Sequence, residues 1–490
     1  FDFGPDGTVF TTPVTLTLWY DEADLPASVD ESTGLFIVGT SHSTGEIVPV
    51  PGSVVDPVAN TVSAPISGFS VFGIAISCLP NSDLLPWCPP ICTDPAPVFP
   101  DDPGGELDTT FGTDGIFTFE LGTPGATGVD DLLIGDQGRL LLAVEKTRMG
   151  VARVLPDGEG FDPGFGVDGF AQLSSSDPDN TPASIALRTD GRVLLHGAQQ
   201  PPGGGLYLQI ARFLPDGAPD PSFAQNGVML DLRQGITLSG ELATLPDGRI
   251  FVIDAGARSL YQFLPDGAPD IGFDVDGLAT NTTLFTASRV LRRATGDWLL
   301  ARGKDILEVE AQGSPGRLFS ILLQGSFIST GFQEIPGGGY VLGGSLFSGA
   351  GPSAIRTPFA VRFQPGDEPG SLEPDICFGT DELETGYGLR TYDFGGSKAV
   401  NSIAVQADGR IILAGATTDQ GTDDDAFVIR IRPDGEIDAG FGANGIVYLD
   451  FGGDEQDGSV AIDSQGRIVI ASSSRPSTGD RFAVVMRLLP

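Results

Sequence analysis

The sequence is short of the residues on which most catalytic sites depend. Its 490 residues include two histidines, His42 and His196, and only three lysines. A Ser-His-Asp or Cys-His arrangement needs a histidine as its base, so nucleophilic catalysis has little material here. His196 follows a predicted strand and is interpreted as an ordinary strand-end residue. No residue is assigned as catalytic or cofactor-binding. The scarcity of His and Lys argues against an enzyme but does not exclude one.

Basic residues are also scarce, and long apolar runs are missing. The chain has 27 Lys and Arg against 65 Asp and Glu, which gives a formal net charge of -38. A surface of this sign repels phosphate backbones, so we expect no nucleic acid partner. No apolar run reaches about 18 residues, so the sequence predicts no membrane span. Solubility is the simplest explanation of the acidic excess.

Cysteine is sparse, and its spacing matches no metal or haem motif. Three of the four Cys lie close together, without paired Cys-x-x-Cys units and without a Cys-x-x-Cys-His motif. In an extracellular protein disulfides are favoured over free thiols, and their connectivity is not deducible from the sequence. The disulfide candidates are Cys78, Cys88, Cys92 and Cys377.

Glycine, proline and internal repetition are abundant. The chain has 69 Gly and 38 Pro, and short apolar runs recur between turn residues. This composition is typical of many short strands. From about residue 107 onward three patterns run in step. They are Asp-x-x-Phe, a Gly turn followed by an apolar strand (as in TDGRVLLHG), and an apolar strand that ends at Pro-Asp-Gly (as in QIARFLPDG).

The spacing of these patterns predicts the fold. The Phe of the first pattern recurs at intervals of 50 to 63 residues, except for one double interval between Phe273 and Phe378. Gly316 and Phe319 are expected to fill that gap as a seventh copy. Repeats of this length with four strands each are typical of propeller blades. The predicted fold class is all-β, a seven-bladed β-propeller over residues 107–490 with a small N-terminal β-sandwich-like module.

The ring is expected to close through its first repeat strand. The repeat region opens with an Asp-x-x-Phe strand, and the sequence stops where the next such strand would begin. We therefore expect residues around Ile116 to Leu121 to pair with the final blade, which leaves only short edges unpaired.

A recurring Arg and a recurring Asp are the candidate site residues. The Arg stands in the fourth strand of five repeats, and Gln262 and Glu308 replace it in the other two. Opposite charges at this spacing predict an ion pair that locks each blade, and a ring of ligand-binding residues is the alternative. The predicted pairs are Arg153 with Asp162, Arg212 with Asp220, Arg362 with Asp375, Arg430 with Asp438, and Arg487 with Asp108 across the ring closure.

The three patterns resemble the bacterial delta-60 repeat family. The resemblance rests on Asp-x-x-Phe-Gly, x-x-Asp-Gly-Arg-apolar and apolar-Arg-x-x-Pro-Asp-Gly, and the repeats around residues 296–345 depart most from it. The resemblance implies a β-propeller in a secreted or surface-attached bacterial protein, in a family mostly without an assigned activity.

The first 106 residues have a different character. Residues 1–76 alternate apolar and polar side chains and predict a partial β-sandwich module. The string FGPDGTVFTTPVTLTLWY resembles the closing half of a ZU-type β-sandwich. Its opening strands either precede this sequence or come from a neighbouring subunit, which would allow a homopolymer through the N-terminal β module. Residues 77–106 are rich in Pro and predict a stiff linker pinned by disulfides.

These features favour a non-catalytic extracellular structural or adhesion protein, a scaffold or subunit of a cell-surface assembly or filament. Its partners would be other protein subunits or surface glycans. The alternative is a secreted polysaccharide-active propeller enzyme, which a pocket of converging carboxylates and aromatics would favour. No cofactor is expected. Oxygen-rich stretches at 176–180, 274–277 and 422–426 could bind Ca²⁺ but match no EF-hand loop, and no metal ligands are assigned.

Overall fold

Short apolar runs between turn residues form β-strands in both parts of the chain. In a computed structural model the chain divides into two compact units, Phe1–Val98 and Phe99–Pro490. No helix among the described residues is long and apolar enough to cross a membrane. The structure describes residues 9–20, 35–40, 47–49, 53–68, 72–76, 102–120, 128–145, 149–172, 180–200, 205–235, 240–254, 258–274, 276–280, 289–293, 296–302, 305–311, 313–320, 326–336, 338–349, 354–366, 371–375, 378, 388–417, 424–476 and 481–490.

The first unit contains two small antiparallel sheets in its described part. Their strand orders are β1-β5-β4 and β3-β2-β6. Alternate apolar side chains of both sheets, among them Leu18, Ile37 and Val62, are buried in one shared core, as expected for strands with one covered face. The strands are β1 (Val9–Trp19), β2 (Leu35–Thr40), β3 (Ile47–Pro49), β4 (Val54–Asp56), β5 (Thr61–Gly68) and β6 (Phe72–Ile76).

The second unit contains seven antiparallel sheets in its described part, here called sheets 1 to 7. Its first strand, β7 (Ile116–Phe119), belongs to sheet 7. Sheet 1 contains β8 (Gly128–Ile134), β9 (Leu140–Glu145), β10 (Met149–Val154) and β11 (Phe170–Gln172), with a 3₁₀ turn at Asp136–Gly138. Sheet 2 contains β12 (Asn180–Leu187), β13 (Val193–Gln199), β14 (Tyr207–Phe213) and β15 (Val228–Gly235). Sheet 3 contains β16 (Leu242–Thr244), β17 (Ile250–Asp254), β18 (Ser259–Phe263) and β19 (Leu278–Thr280).

The remaining sheets follow the same plan. Sheet 4 contains β20 (Arg289–Arg292), β21 (Trp298–Arg302), β22 (Asp305–Val309) and β23 (Pro315–Ser320). Sheet 5 contains β24 (Ser326–Glu334), β25 (Tyr340–Ser348), β26 (Ile355–Pro365), β27 (Leu372–Pro374) and β28 (Leu389–Thr391). Sheet 6 contains β29 (Lys398–Val405), β30 (Ile411–Thr417), β31 (Ala426–Ile431) and β32 (Ile446–Leu449). Sheet 7 contains β33 (Gly453–Ile462), β34 (Ile468–Pro476), β35 (Phe482–Leu488) and β7.

Each sheet covers the next, so the middle strands are buried on both faces. Every residue of β30 and β31 is buried, which explains why these strands are apolar without alternation. Seven apolar clusters lie between successive sheets, and one of them joins sheet 7 back to sheet 1. As predicted, β7 pairs with β35, with Ile116 opposite Met486 and Phe119 opposite Ala483. The described sheets therefore form a closed cycle.

Part of the predicted linker belongs to this cycle. In sheet 2 the Pro-Asp-Gly turn is closed by the Gly217 amide, which donates to the Leu214 carbonyl at 2.8 Å. In sheet 7 the Gly105 amide donates to the Leu489 carbonyl at 3.1 Å, and the Leu489 amide donates to the Glu106 carbonyl at 2.8 Å. The corresponding turn of sheet 7 is thus built from two distant stretches of sequence, which a prediction of linkers from composition misses.

The Phe of the Asp-x-x-Phe pattern is a core residue, and its proposed seventh copy is wrong. Phe111 and Phe165 are fully buried, and each donates its amide proton to the carbonyl of the Asp three residues earlier. Phe319 instead lies inside β23, opposite Ile306. Because β23 begins only two residues after the turn at Gly313, the chain has no room there for an Asp-x-x-Phe turn.

Candidate functional site

The predicted Arg and Asp partners are in contact in all five repeats that contain both. In each pair the Arg Nε faces the Asp Oδ2, and the two side chains are buried or half-buried. We call each pair an Arg–Asp lock. The Nε–Oδ2 distances are 3.0 Å for Arg153 and Asp162, 2.8 Å for Arg212 and Asp220, 3.0 Å for Arg362 and Asp375, 2.9 Å for Arg430 and Asp438, and 2.8 Å for Arg487 and Asp108.

In four of the five locks a second Arg, not assigned from the sequence, contacts the same Asp oxygen, and an equivalent Arg contacts Asp270 of sheet 3. It follows the Gly of the turn between the first two strands of a sheet, and the Gly-Arg pair that recurs in five turns was the available signal. In these four locks the Asp Oδ2 is shared between two positive charges, and in sheet 3 it is shared between Arg249 and Gln262. The contacts are Arg139 to Asp162 at 2.6 Å, Arg192 to Asp220 at 2.9 Å, Arg249 to Asp270 at 3.3 Å, Arg410 to Asp438 at 2.9 Å and Arg467 to Asp108 at 3.2 Å.

This environment favours the ionised form of three of the lock carboxyls, those of Asp108, Asp162 and Asp220. Burial alone would raise the pKa of Asp220. The hydrogen bonds from Ser222 and the charges of Arg212 and Arg192 outweigh burial and lower that pKa to about 2. The pKa values of Asp108 and Asp162 are lowered in the same way, by hydrogen bonds and by neighbouring Arg charges that outweigh burial.

The lock also connects neighbouring sheets. Arg153 of sheet 1 donates from Nη1 to the Pro215 carbonyl of sheet 2 at 2.7 Å. Arg487 of sheet 7 donates in the same way to the Pro156 carbonyl of sheet 1 at 2.7 Å. The guanidinium of Arg153 also lies 4.4 Å from the ring centroid of Phe165. One side chain therefore satisfies a carboxylate, a carbonyl and an aromatic face at a sheet boundary.

Two sheets depart from the lock and show its logic. In sheet 3 the neutral Gln262 donates from Nε2 to Asp270 Oδ2 at 2.7 Å. In sheet 4 Glu308 stands in place of the Arg and forms an ion pair with Arg293. The charge order is reversed there, and no Asp-x-x-Phe turn follows; instead Gly316 of β23 lies against the Glu308 side chain, which an added Cβ would meet.

The first strands of the sheets surround a cavity of about 590 Å³ in the middle of the cycle. Its charged lining residues include Asp130, Asp131, Glu241 and Arg289. Among the described lining residues Phe332 is the one aromatic, and it is only 5% exposed. The cavity is therefore polar, with two inner carboxylates and one guanidinium.

Polar side chains at one position of these first strands hold neighbouring sheets together. In several sheets a β-bulge directly precedes this position, as at Asp131, Ser184 and Ser402. Each such side chain accepts a hydrogen bond from a backbone amide of the next sheet. The bonds run from Ile185 to Asp131 at 3.0 Å, from Leu242 to Ser184 at 2.8 Å, from Val290 to Glu241 at 2.7 Å and from Val460 to Ser402 at 3.2 Å.

The two inner carboxyls have raised pKa values. Burial raises the pKa of Glu241 to about 7, Arg289 partly opposes this change, and the negative charge of Asp131 adds to it. Burial also raises the pKa of Asp131, against hydrogen bonds from the Ile185 and Leu132 amides. Glu241 thus titrates near neutrality, a property of general acids that also arises in structural carboxyls.

Of the other sequence candidates, His196 is described and most of the rest is not. His196 lies in the middle of β13, not at its end, and is 2% exposed. Burial lowers its pKa to about 4, and Nδ1 has no hydrogen-bond partner. His42 and all four Cys lie outside the described residues, as do 176–179, 275 and 422–423 of the oxygen-rich stretches.

Comparison with known proteins finds one family profile and several solved structures that are similar to this chain. A family profile described as "Domain of unknown function (DUF5122) beta-propeller" matches residues 188–223 and 406–441, and no curated protein matches the chain. Among solved structures, the chain is similar to virginiamycin B lyase from Staphylococcus aureus, with 10% identity, a TM-score of 0.44 and coverage of 76% of this chain and 98% of that one. A protein of unknown function from Dyadobacter fermentans has 11% identity and a TM-score of 0.42, with coverage of 76% of this chain and 98% of that one. A xyloglucanase from Xanthomonas campestris has 13% identity and a TM-score of 0.40, with coverage of 74% of this chain and 54% of that one.

The profile matches run from the Gly-Arg turn to the Asp-x-x-Phe turn of sheets 2 and 6. Together with the closed cycle of antiparallel sheets, six of four strands and one of five among the described residues, they define the second unit as a β-propeller.

Proposed function

We propose that the seven sheets are the blades of a seven-bladed β-propeller of the delta-60 repeat kind. Seven apolar interfaces in a cycle and the repeated Arg–Asp lock support this count. In the same proposal, residues 1–76 form a partial β-sandwich of the ZU-like kind, and a linker rich in Pro and Cys joins it to the propeller. The strongly acidic composition and the clustered Cys support a secreted or cell-surface location, where disulfides form.

The function proposed for this chain is that of a non-catalytic scaffold. The observation that carries the proposal is the position of Asp131, the more strongly hydrogen-bonded acid of the cavity. Ser184 and Ser402 take the same place in sheets 2 and 6, and each accepts a hydrogen bond from the equivalent backbone amide of the next sheet. Because serine makes the same bond in those sheets, we infer that the Asp131 carboxylate serves the contact between sheets. The charged side chains of the Arg–Asp locks likewise hold neighbouring sheets together.

Replacement of Asp131 by Ser tests this role. Because Ser makes the equivalent bond in two other sheets, Asp131→Ser should fold and melt within a few degrees of the wild type. The wild-type chain should cleave no member of a panel of plant and bacterial polysaccharides. The matched control is Asp130→Ser, since Asp130 also lines the cavity and is exposed. Turnover by the wild type that survives in the control and disappears in Asp131→Ser would overturn the proposal.

Assembly through the N-terminal unit is the proposed form of the scaffold. Among the described strands β1 is an edge strand of 11 residues, paired only with β5, and its Val14 and Trp19 are exposed. Unpaired edge amides and carbonyls are templates for another strand. We expect the wild type to form polymers by light scattering and electron microscopy, and Val14→Lys to remain monomeric. Val58→Lys, in an exposed turn, is the control. A monomeric wild type that binds a glycan array would replace assembly by adhesion.

A polysaccharide-active enzyme is the second candidate, and the cavity carboxyls are the observation in its favour. Glycosidases use a pair of acids, one of which has a raised pKa, and the pKa values of both Asp131 and Glu241 are raised by burial. The described lining has a single aromatic, buried as Phe332, whereas sugar sites usually present aromatic faces. An enzyme would show a pH profile with a limb near pH 7 that Glu241→Gln removes.

A further inference from the structure

A second group of carboxylates lies where sheets 6 and 7 meet, and none of its members lines the central cavity. One carboxylate oxygen from each of Asp425, Asp450 and Glu455 lies within 4.8 Å of the other two. Asp425 directly precedes β31, Asp450 directly follows β32, and Glu455 lies in β33. Three separate backbone elements therefore converge on one point.

The backbone around this group is fixed by its own hydrogen bonds. The Thr417 amide donates to the Asp425 carbonyl at 2.8 Å, and the Asp425 amide donates to Thr417 Oγ1 at 2.8 Å. The Glu455 amide donates to the Asp424 carbonyl at 2.7 Å, which ties sheet 7 to sheet 6. The carboxylates are thus held together by the fold and do not merely meet as mobile surface charges.

Glu455 provides an independent observation, because part of its buried carboxylate has no hydrogen-bond partner. Its side chain is 0% exposed, and one oxygen accepts a hydrogen bond from Ser474 at 2.7 Å. The other oxygen, Oε2, is buried and accepts no hydrogen bond. Burial of an unsatisfied carboxylate oxygen is costly unless a cation or a donor pairs with it. Burial raises the pKa of Glu455 to about 7, the Ser474 hydroxyl and the Phe451 backbone partly oppose this rise, and the charges of Asp450 and Asp425 add to it.

We propose that Asp425, Asp450 and Glu455 bind one Ca²⁺ ion that bridges sheets 6 and 7. The donor set is made of carboxylate oxygens alone, which suits a hard cation and not zinc or copper. Two of the three residues are partly or fully exposed, so water can complete the six to eight oxygens that Ca²⁺ takes. The ion would neutralise the repulsion among three acids and satisfy the buried Glu455 oxygen.

Calcium titration of the full chain tests the site, with variants that differ by one charge. After treatment with EDTA, calorimetric titration with CaCl₂ should reveal a saturable site in the wild type with a Kd of about 10⁻⁴ M or tighter. Asp450→Asn and Glu455→Gln should each weaken this site at least tenfold. Asp454→Asn is the matched control, because Asp454 is adjacent in β33 and its side chain points to the opposite face. An isotherm that is the same in all four proteins would overturn the proposal.

Thermal unfolding provides a second measurement. Without Ca²⁺, Glu455→Gln should melt at or above the temperature of the wild type, because the substitution removes an uncompensated buried acid. Added CaCl₂ should raise the melting temperature of the wild type and of Asp454→Asn, and it should leave Glu455→Gln unchanged. An equal rise in all variants would show diffuse binding to the acidic surface and overturn the site. Because Asp450 is exposed, Asp450→Asn keeps the test valid if Glu455→Gln does not fold.

Discussion

Replacement of Asp220 by Asn removes the charge of the lock in sheet 2 while it preserves the shape. Asp220 Oδ2 faces Arg212 Nε at 2.8 Å and Arg192 Nε at 2.9 Å. The Arg212 side chain is 6% exposed, so without the carboxylate it becomes an unpaired buried charge. Asp270 of sheet 3 offers a matched comparison, because the neutral Gln262 replaces the buried Arg there.

The magnitude follows from the pKa of Asp220. Its fall from the ordinary value of 3.8 to about 2 corresponds to about 2.5 kcal/mol at neutral pH, since one pKa unit is about 1.4 kcal/mol. Breaking a buried ion pair typically costs about 3 to 5 kcal/mol. We expect Asp220→Asn to lose about 3 kcal/mol of unfolding free energy. Asp270→Asn should lose about 1 kcal/mol, because Arg249 is 30% exposed and Gln262 carries no charge.

Urea unfolding followed by circular dichroism measures both losses, and urea does not screen ion pairs as guanidinium does. Because the pKa of Asp220 is lowered on folding, its contribution is present above about pH 4 and is lost as the pH falls towards 2. The difference between the wild type and Asp220→Asn should therefore shrink over that range. Equal losses in the two variants at pH 7, or a loss independent of pH, would refute the account of the lock.

Three further predictions concern buried groups. Because folding raises the pKa of Glu241 to about 7, the native state binds more protons than the unfolded state between about pH 4.5 and 7, and stability falls as the pH rises through that range. Glu241→Gln should flatten this dependence and gain about 1 to 2 kcal/mol at pH 8 in urea unfolding, less than the full pKa difference because the cavity admits water. Folding lowers the pKa of His196 to about 4, so the wild type should lose stability as the pH falls from 6.5 to 4, and the melting temperature of His196→Gln should not follow that decline. Phe111→Ala should cost about 3 to 5 kcal/mol in urea unfolding and Phe319→Ala clearly less, because Phe111 is fully buried and Phe319 is not; equal costs would restore Phe319 as a core marker.

The parts of the fold that the sequence revealed are those that repeat. An Asp-x-x-Phe turn buries its Phe in six of the seven described sheets, so its spacing, with one double interval, predicts the number of units. The pairing of β7 with β35 followed from the order of strand types along the chain. The contact between Arg487 and Asp108 was predicted from the same order of strand types, although 379 residues separate the two.

The parts that sequence reasoning missed depend on register or on exceptions to the repeat. The Arg of the Gly-Arg turn was visible in five copies. Its contact with the Asp depends on how the Gly-Arg turn lies against the Asp-x-x-Phe turn of the same sheet, which the sequence does not specify. Phe319 was misplaced because β23 follows its turn without the extra residues of the other repeats. The approach of Asp425 to Glu455 depends on loops of two different sheets, which spacing alone does not specify.

Residues at equivalent positions of different sheets can be compared to distinguish side chains that serve the fold from those proposed to bind a ligand. In register with its neighbouring strand, Glu455 of sheet 7 corresponds to Lys398 in sheet 6 and Asn180 in sheet 2. Lys398 donates its Nζ to the Gly395 carbonyl and so has a local partner. Glu455 Oε2 has none. By contrast Asp131 has serine equivalents that make the same bond. The shared contact is the reason we propose that Asp131 serves the contact between sheets, and the unsatisfied, unrepeated carboxyl of Glu455 is the reason we propose a cation site there.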